Sequence, residues 1–478
     1  MIRRIAAASL LAVMLTPALA SANPEPTAYD TRSISMGLTG TTYMERASAL
    51  VLNPANMEGI DKLGFTFNFT GIFTNQIAPV QGPNTRGESG LGFGPLPSGF
   101  IAGRIAPRVV FAAGLVIETG YGSSFDNVEC LDGARVNPDP RDGPGAAEYV
   151  PDTNPATCLN SDPQSLDVTF FVGEASIGTS YRINDKFWLG VALRLPFSKQ
   201  VADLYQNVGA ALPGPNDPPR YGRVKNDLSG VGFPSPRIGI TIKPHHKVSI
   251  GIMYRMWSTI KLTGETETDL LPNLVLNSTA DWYIPHALQF GVSYQANQRL
   301  LLAFELRLQF HGAEKQGNRN QTVTAQLPTP GAAPLVTVVG FGWENVWSAK
   351  FGVEYRFKKD LLSFRAGTNI ARSAAVEQWA QYFTPPPGIS ATLMAGLGFY
   401  WDDRNYSEVK DQYMLDIGTL FAYSGTKVGD EYIGTEATVP GTNNTQTLCS
   451  ADQVVRTGCP GQIGVFTYWA SVSFTLQY

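Results

Sequence analysis

Charge is scarce in this 478-residue chain: Asp, Glu, Lys and Arg make up 16% of it, against roughly 25% in an ordinary globular domain. The 36 basic and 40 acidic residues leave a formal net charge of −4, which excludes a strongly basic nucleic-acid binder. Beyond the N-terminal leader no apolar run approaches the roughly 20 residues of a transmembrane helix. Histidine is limited to His245, His246, His286 and His311. There is no HExxH, no phosphate-binding loop and no convincing carboxylate pair, so the chain does not read as an enzyme. The four cysteines contain no CxxC and have no histidine close by, so neither a metal nor another cofactor is expected. What the chain has in quantity is glycine (48), proline (33) and aromatic residues (11%). High glycine, many aromatics and little charge point to a β-rich protein in an unusual solvent.

Residues 1–22 read as a secretory signal peptide: Arg3 and Arg4, an apolar stretch from Ile5 to Leu15, then small residues that permit cleavage after Ala20 or Ala22. The mature chain therefore leaves the cytoplasm, and four cysteines suit an oxidising compartment. Local pairing, Cys130 with Cys158 and Cys449 with Cys459, is the simplest of three connectivities. With no second apolar helix, the mature chain is either soluble after export or crosses a membrane as strands. Strands can do so only in a closed barrel, because lipid satisfies no open sheet edge.

Period-two alternation recurs in fourteen segments, near 63–75, 97–106, 109–120, 166–182, 187–200, 228–243, 247–262, 280–295, 300–311, 346–357, 361–372, 389–401, 411–424 and 462–478. In 300–310, Leu300, Leu302, Phe304, Leu306, Leu308 and Phe310 share one face, opposite Ala303, Glu305, Arg307 and Gln309. The gaps alternate between short links such as Asn184-Asp185 and long polar stretches such as 121–165 and 425–461. Short turns at one end and long loops at the other are the habit of outer-membrane barrels. Both cysteine pairs fall in long gaps, hence outside the cell. The last strand alternates up to the terminal Tyr478, as a strand must if it closes the sheet against the first.

Residues 23–62 do not alternate. They are rich in small residues, and Asn53-Pro54-Ala55 reads as a helix start, with Asn53 as cap and Pro54 at the first helical position; Gly59 ends it after about one turn. A compact segment of this size suits a plug folded into the barrel lumen. On these residues the chain resembles the outer-membrane transporter family for long-chain fatty acids and aromatic hydrocarbons, the FadL type. Asn53-Pro54-Ala55 matches that family's plug motif. Gly37-Leu38-Thr39-Gly40 and Ala47-Ser48-Ala49 resemble its small-residue pattern, and Phe233–Trp257 and Trp347–Thr368 resemble two of its hairpins. The resemblance implies an all-β, 14-stranded antiparallel, monomeric transmembrane barrel (63–478) with an N-terminal plug (23–62) in the outer membrane of a Gram-negative bacterium. It also implies passive passage of hydrophobic molecules, most readily long-chain fatty acids, with lateral exit into the bilayer lipid.

On strands of clear register the inward face carries Arg194, Arg237, Lys243, Arg255, Lys261, Arg307, Lys350, Arg356 and Arg365 against Glu305 and Glu354, with Trp188, Met253 and Trp257 beside them. Such a lining could hold a carboxylate head and a hydrocarbon tail. Arg255, Trp257, Arg365, Met253 and Trp188 are thus candidate ligand contacts. The plainer reading pairs these bases with plug carboxylates such as Glu45 and Glu58. The resemblance places a kinked strand with a side window at Gly114–Gly122, where Gly114, Gly120 and Gly122 permit a bulge; the family's Pro-Phe-Gly near this point is absent. Two other readings stay open: a general diffusion porin, and a structural or adhesive barrel displaying its loops.

Overall fold

The computed structural model describes residues 29–80, 84–128, 164–207, 221–269, 274–313, 317–328, 331, 334–358, 361–403, 411–449 and 457–478. The leader, Cys130 and Cys158 lie outside them. Fourteen antiparallel strands close into one barrel: β1 Leu63–Ala78, β2 Gly92–Ala106, β3 Val109–Val128, β4 Gln164–Asn184, β5 Phe187–Asn207, β6 Tyr221–Gly232 with Ser235–His245, β7 Val248–Arg255 with Ser258–Thr268, β8 Val275–Ile284 with Ala287–Gln295, β9 Leu300–Gln309, β10 Val346–Lys358, β11 Leu362–Arg372, β12 Ile389–Asp403, β13 Asp411–Val428 and β14 Gly461–Gln477. The seam is an unbroken ladder from Gly64↔Gln477 to Ile77↔Gly464. Closure of the sheet at this seam removes the free edges of its first and last strands, which is what lets strands stand in lipid.

Alternation sorts the side chains. Phe67, Leu115, Ile177, Leu306 and Phe351 point outward and are about half exposed, whereas Thr66, Ser176, Glu305 and Lys350 on the other face are buried. An apolar exterior around a polar interior is the arrangement of a barrel in lipid. The long-loop rim is built up further by a hairpin, Asn320–Gln326 with Leu335–Gly340, which continues from β8 through Asn277↔Gln326. A disulfide joins Cys449 to Cys459 in the last long loop.

Three neighbouring strands change parity part-way up. Below the break, Arg237, Met253 and Gln289 face inward; above it, Leu228, Ile260 and Trp282 do. The breaks fall at Phe233-Pro234, Met256-Trp257 and Pro285-His286, side by side around the wall. Pro234 and Pro285 have no amide to give a ladder, and each break shifts the strand by one residue. A one-residue shift moves every later side chain to the opposite face. This corrects one expectation: Lys261, placed inward by reading 247–262 as one continuous strand, faces outward and is exposed, while Ile260 and Leu262 are fully buried.

Residues 29–62 lie within the barrel and are almost entirely buried. They form a short helix, α1 Thr31–Ser35, a second, α2 Ala49–Leu52, and a 3₁₀ turn Pro54–Gly59. Asp30 caps α1, its Oδ1 accepting from Arg32 N at 2.8 Å and its Oδ2 from Ser48 Oγ at 2.7 Å. The expected helix at Asn53-Pro54-Ala55 is this 3₁₀ turn: Asn53 Oδ1 accepts from Ala55 N at 3.1 Å, with Pro54 in the first turn.

Candidate functional site: the plugged lumen and the β2–β3 wall

The plug docks by backbone contact where the wall carries glycine. A Cβ on Gly239 would lie 1.9 Å from Asn53 Oδ1, and one on Gly190 2.2 Å from the Pro54 carbonyl carbon. Asn53 Nδ2 then donates to Thr41 O (2.7 Å), Thr241 Oγ1 (3.1 Å) and Ile240 O (3.2 Å). Thr241 Oγ1 in turn donates to Asn56 Oδ1 at 2.6 Å. Asn53 thus caps its own turn and ties the plug to β6. At the periplasmic end Glu58 is gripped by Arg104 Nη1 (3.1 Å) and Arg182 Nε (3.2 Å), and Glu45 by Lys243 Nζ (2.6 Å). These are the two plug carboxylates that the plainer sequence reading pairs with lumen bases.

Two buried ionic clusters span the interior. In one, Glu354 of β10 accepts from Arg32 of the plug (2.8 Å) and from Arg365 of β11 (2.7 Å). Asp416 of β13 accepts from Arg365 (2.6 Å) and from Arg46 of the plug (2.5 Å), and Arg365 also donates to the Tyr400 hydroxyl. Burial would lower the Arg46 pKa, but Asp416 and Asp30 outweigh it and hold the guanidinium above its ordinary value. Tyr43 stacks beside Arg32, 5.0 Å from ring centre to guanidinium, and burial pushes its phenol well above the usual range. In the other cluster Glu174 of β4 is held bidentately by Arg237 (2.7 and 3.0 Å) and by Arg194 (3.2 Å). Glu118 of β3 lies 3.6 Å from Arg237 and 3.9 Å from Arg255 and accepts from the Tyr29 hydroxyl at 3.2 Å.

The candidate ligand contacts are spread among these features. Arg365 is wholly buried in the first cluster and Arg255 lies in the second. Trp188 lies under Lys243, 3.6 Å from its ammonium, beside the plug's periplasmic end. Met253 faces Gln289 and Gly239 at the plug dock. Trp257 sits at the β7 break, its ring 4.7 Å from that of Phe233. The five therefore do not converge on one point.

The third strand is where the wall changes. The β2–β3 ladder runs from the short-turn end only as far as Ser98↔Val116. Among the described residues no ladder pair joins Gly92–Pro97 to the part of β3 beyond Val116; contact resumes at the rim, where Gly90 N donates to Ser124 O at 2.9 Å. On its other side β3 stays paired with β4, with a bulge at Glu118 between Ile117 and Thr119. Gly114 lets the Phe100 ring lie against the wall, since a Cβ there would meet it at 2.3 Å. Gly120 pairs with Phe171 and Gly122 with Thr169; a Cβ on Gly122 would make only ordinary contacts, the nearest at 3.5 Å.

Sequence reasoning that looked to glycine missed Pro95 and Pro97. They stand two apart in β2, opposite Gly71 and Phe69 in an unbroken β1 ladder. Neither has an N–H, and because the β1 side is intact the missing donors fall on the edge toward β3. A Pro-x-Pro pair at the start of an alternating segment was the available signal. On the inner side Leu96 and Ile117 flank the interruption and pack with Ile34 and Leu38 of the plug and Ile72, Val465 and Trp469 of the wall. Tyr29 reaches both sides of it: its carbonyl accepts from Ser98 Oγ at 3.2 Å, and its hydroxyl donates to Glu118.

Above the plug the interior turns apolar. Phe125, Phe170, Trp282, Phe341, Trp343 and Tyr382 belong to one buried cluster fed by β3, β4, β8 and two long loops. Phe170 and Trp282 are 4.7 Å apart, and Trp282 and Trp343 5.6 Å, edge to face.

Residues 164–427 match the family model described as outer membrane protein transport protein (OMPP1/FadL/TodX). The fold is similar to that of a Pseudomonas aeruginosa FadL homologue, with a TM-score of 0.68 and 16% identity over 96% of this chain and 100% of the other. The Ralstonia pickettii toluene transporter TbuX gives 0.62 and 15% over 94% and 98%. The P. putida toluene transporter TodX gives 0.63 and 16% over 95% and 99%. No curated protein matches by sequence.

Proposed function

Since the chain belongs to the outer membrane protein transport protein family (OMPP1/FadL/TodX), a family of outer-membrane channels for hydrophobic compounds, we propose the route and the class of molecule that this barrel carries. A hydrophobic molecule enters among the loops, settles against the aromatic cluster around Phe170, Trp282 and Trp343, and leaves sideways through the β2–β3 interruption into lipid. The observation that carries this reading is the end of the ladder at Ser98↔Val116 beside Leu96 and Ile117. An apolar solute gains nothing by entering periplasmic water, whereas transfer to lipid keeps its buried surface out of water, at about 25 cal/mol per Å². The plug is the stopper below, and Tyr29, bridging Ser98 and Glu118, ties its movement to the exit.

The same geometry bears on the cargo. Arg194, Arg237 and Arg365 are each bonded to protein carboxylates. A fatty-acid head group would have to displace Glu174, Glu354 or Asp416 to reach them, and breaking such a buried pair costs about 3–5 kcal/mol. The reading therefore favours neutral apolar molecules, of which toluene is the simplest probe, over the long-chain fatty acids that the family resemblance alone suggests. A water-filled porin is disfavoured because the plug occupies the bore.

The test is whole-cell uptake of labelled toluene and of labelled oleate, with and without the protein. The expected result is faster toluene uptake with a smaller effect on oleate. Faster oleate uptake alone overturns the choice of cargo, and no effect on either overturns the route.

A further inference from the structure

The lipid-facing wall carries a feature that the transport path does not use. Across β1–β5 the outward residues alternate in size. One row, following the ladders, reads Phe67, Gly99, Leu115, Ala175, Leu195; the next reads Phe65, Ile101, Ala113, Ile177, Leu193. Gly99, Ala113 and Ala175 leave a hollow between these rims. A Cβ built on Gly99 would have nothing within 4 Å, so the glycine is not required by packing inside the wall. Its effect is to lower the outer surface.

The hollow has a volume of about 860 Å³ and runs from Phe65, Phe67 and Phe474 on one side to Leu193, Leu195 and Pro234 on the other. That is within the roughly 300–1,000 Å³ of an ordinary small-molecule site. Its lining is almost wholly hydrocarbon; the one charged residue that contributes, Arg194, turns its guanidinium inward to Glu174. A head group finds no partner there, but an alkyl chain does. The rims Phe67, Ile101, Ile177 and Leu193 are 43–57% exposed and form part of the outer belt that stands in the membrane, so the surface is continuous with lipid. A pit in such a surface is filled by what surrounds it, because an empty one forfeits its dispersion contacts.

We propose that this hollow is a binding site for an acyl chain of a bilayer phospholipid, held on the outer wall of β1–β5 with its head group outside the groove. The site is distinct from the interior route and does not depend on what the barrel carries. It begins at Gly99, the residue next to the last β2–β3 ladder pair, so a bound chain lies beside the wall's interruption.

The protein is reconstituted in nanodiscs containing a phospholipid with a photoactivatable diazirine on its acyl chain, and labelled residues are mapped by peptide mass spectrometry. The expected pattern is labelling at Phe65, Ile101, Ile177 and Leu193 several-fold above that at Phe304, Leu306 and Ile417, outward residues elsewhere on the belt. Gly99→Phe, which fills the hollow, should bring the first group down to the level of the second, and Leu308→Phe on β9 should change nothing. Even labelling around the belt of the unmodified protein overturns the proposal, as does undiminished labelling in Gly99→Phe that keeps the heat-modifiable gel mobility of a folded barrel. Toluene uptake is measured in parallel: a failure of transport with the labelling pattern intact counts against the route and leaves the lipid site standing.

Discussion

Asn53→Ala should undock the plug while leaving the barrel closed. The side chain is fully buried and makes four hydrogen bonds, one as the cap of Pro54–Gly59 and three from Nδ2 to Thr41, Ile240 and Thr241. Loss of a cap costs about 1 kcal/mol. Each other bond contributes about 0.5–1.5 kcal/mol net, and the bond to Thr41 lies within the plug, where Asn56 also reaches the same carbonyl at 2.8 Å. The docked state should therefore lose about 2–4 kcal/mol. At tenfold per 1.4 kcal/mol that is roughly a 30- to 700-fold shift toward the undocked plug. Hydrogen exchange reads this directly, since protection of an amide reports the free energy of its opening. Amides of residues 31–60 should lose protection by that factor, while amides of the β1–β14 seam keep theirs. Unchanged plug protection would refute the reasoning, and so would equal loss in plug and seam.

Three further outcomes follow from the same contacts. Gly239→Ala should produce the Asn53→Ala phenotype from the wall side, because its Cβ would meet Asn53 Oδ1 at 1.9 Å; matching exchange profiles of the two variants check it. Glu354→Gln removes the carboxylate that Arg32, Arg365 and Arg356 share, and breaking a buried pair costs about 3–5 kcal/mol; the midpoint of heat-induced unfolding, read as the gel-mobility shift, should fall clearly. Replacing Cys449 and Cys459 by serine opens a bridge between residues 10 apart in sequence, which constrains the unfolded loop by about 3 kcal/mol. Limited proteolysis should then cut within 430–460 while the strands survive.

Much of the barrel was legible because its signal is periodic. Ser471, Ser473 and Thr475 against Val472 and Phe474 declare a strand and both its faces, and the order of short and long gaps declares which rim is which. The Asn53-Pro54-Ala55 turn was legible for a local reason, since capping needs only neighbours in sequence. What failed was parity across a break. Nothing in the residues around Met256-Trp257 reveals that one position is spent on a shift, so period two carried through it puts Lys261 on the wrong face. The bases were legible as a group, but their partners were not. Arg365 meets Glu354 eleven residues away across a turn, whereas its second partner, Asp416, lies two strands on, across β12, and Arg46 is brought in only by the plug folding into the lumen. Pro95 and Pro97 lie at the edge of a segment whose alternation begins at residue 97, and only the ladder on the β1 side shows toward which neighbour their missing donors point.

The central claim is that hydrophobic molecules leave through the wall where β3 parts from β2, and restoring the donors tests it most directly. In Pro95→Thr/Pro97→Thr the β2 edge regains two amides facing β3. The account predicts that toluene uptake by cells carrying this variant falls toward that of cells without the protein, while plug protection and heat-modifiable mobility stay as in the unmodified chain. Uptake at the unmodified rate by a variant whose β2 and β3 amides have become protected across the former interruption would contradict it.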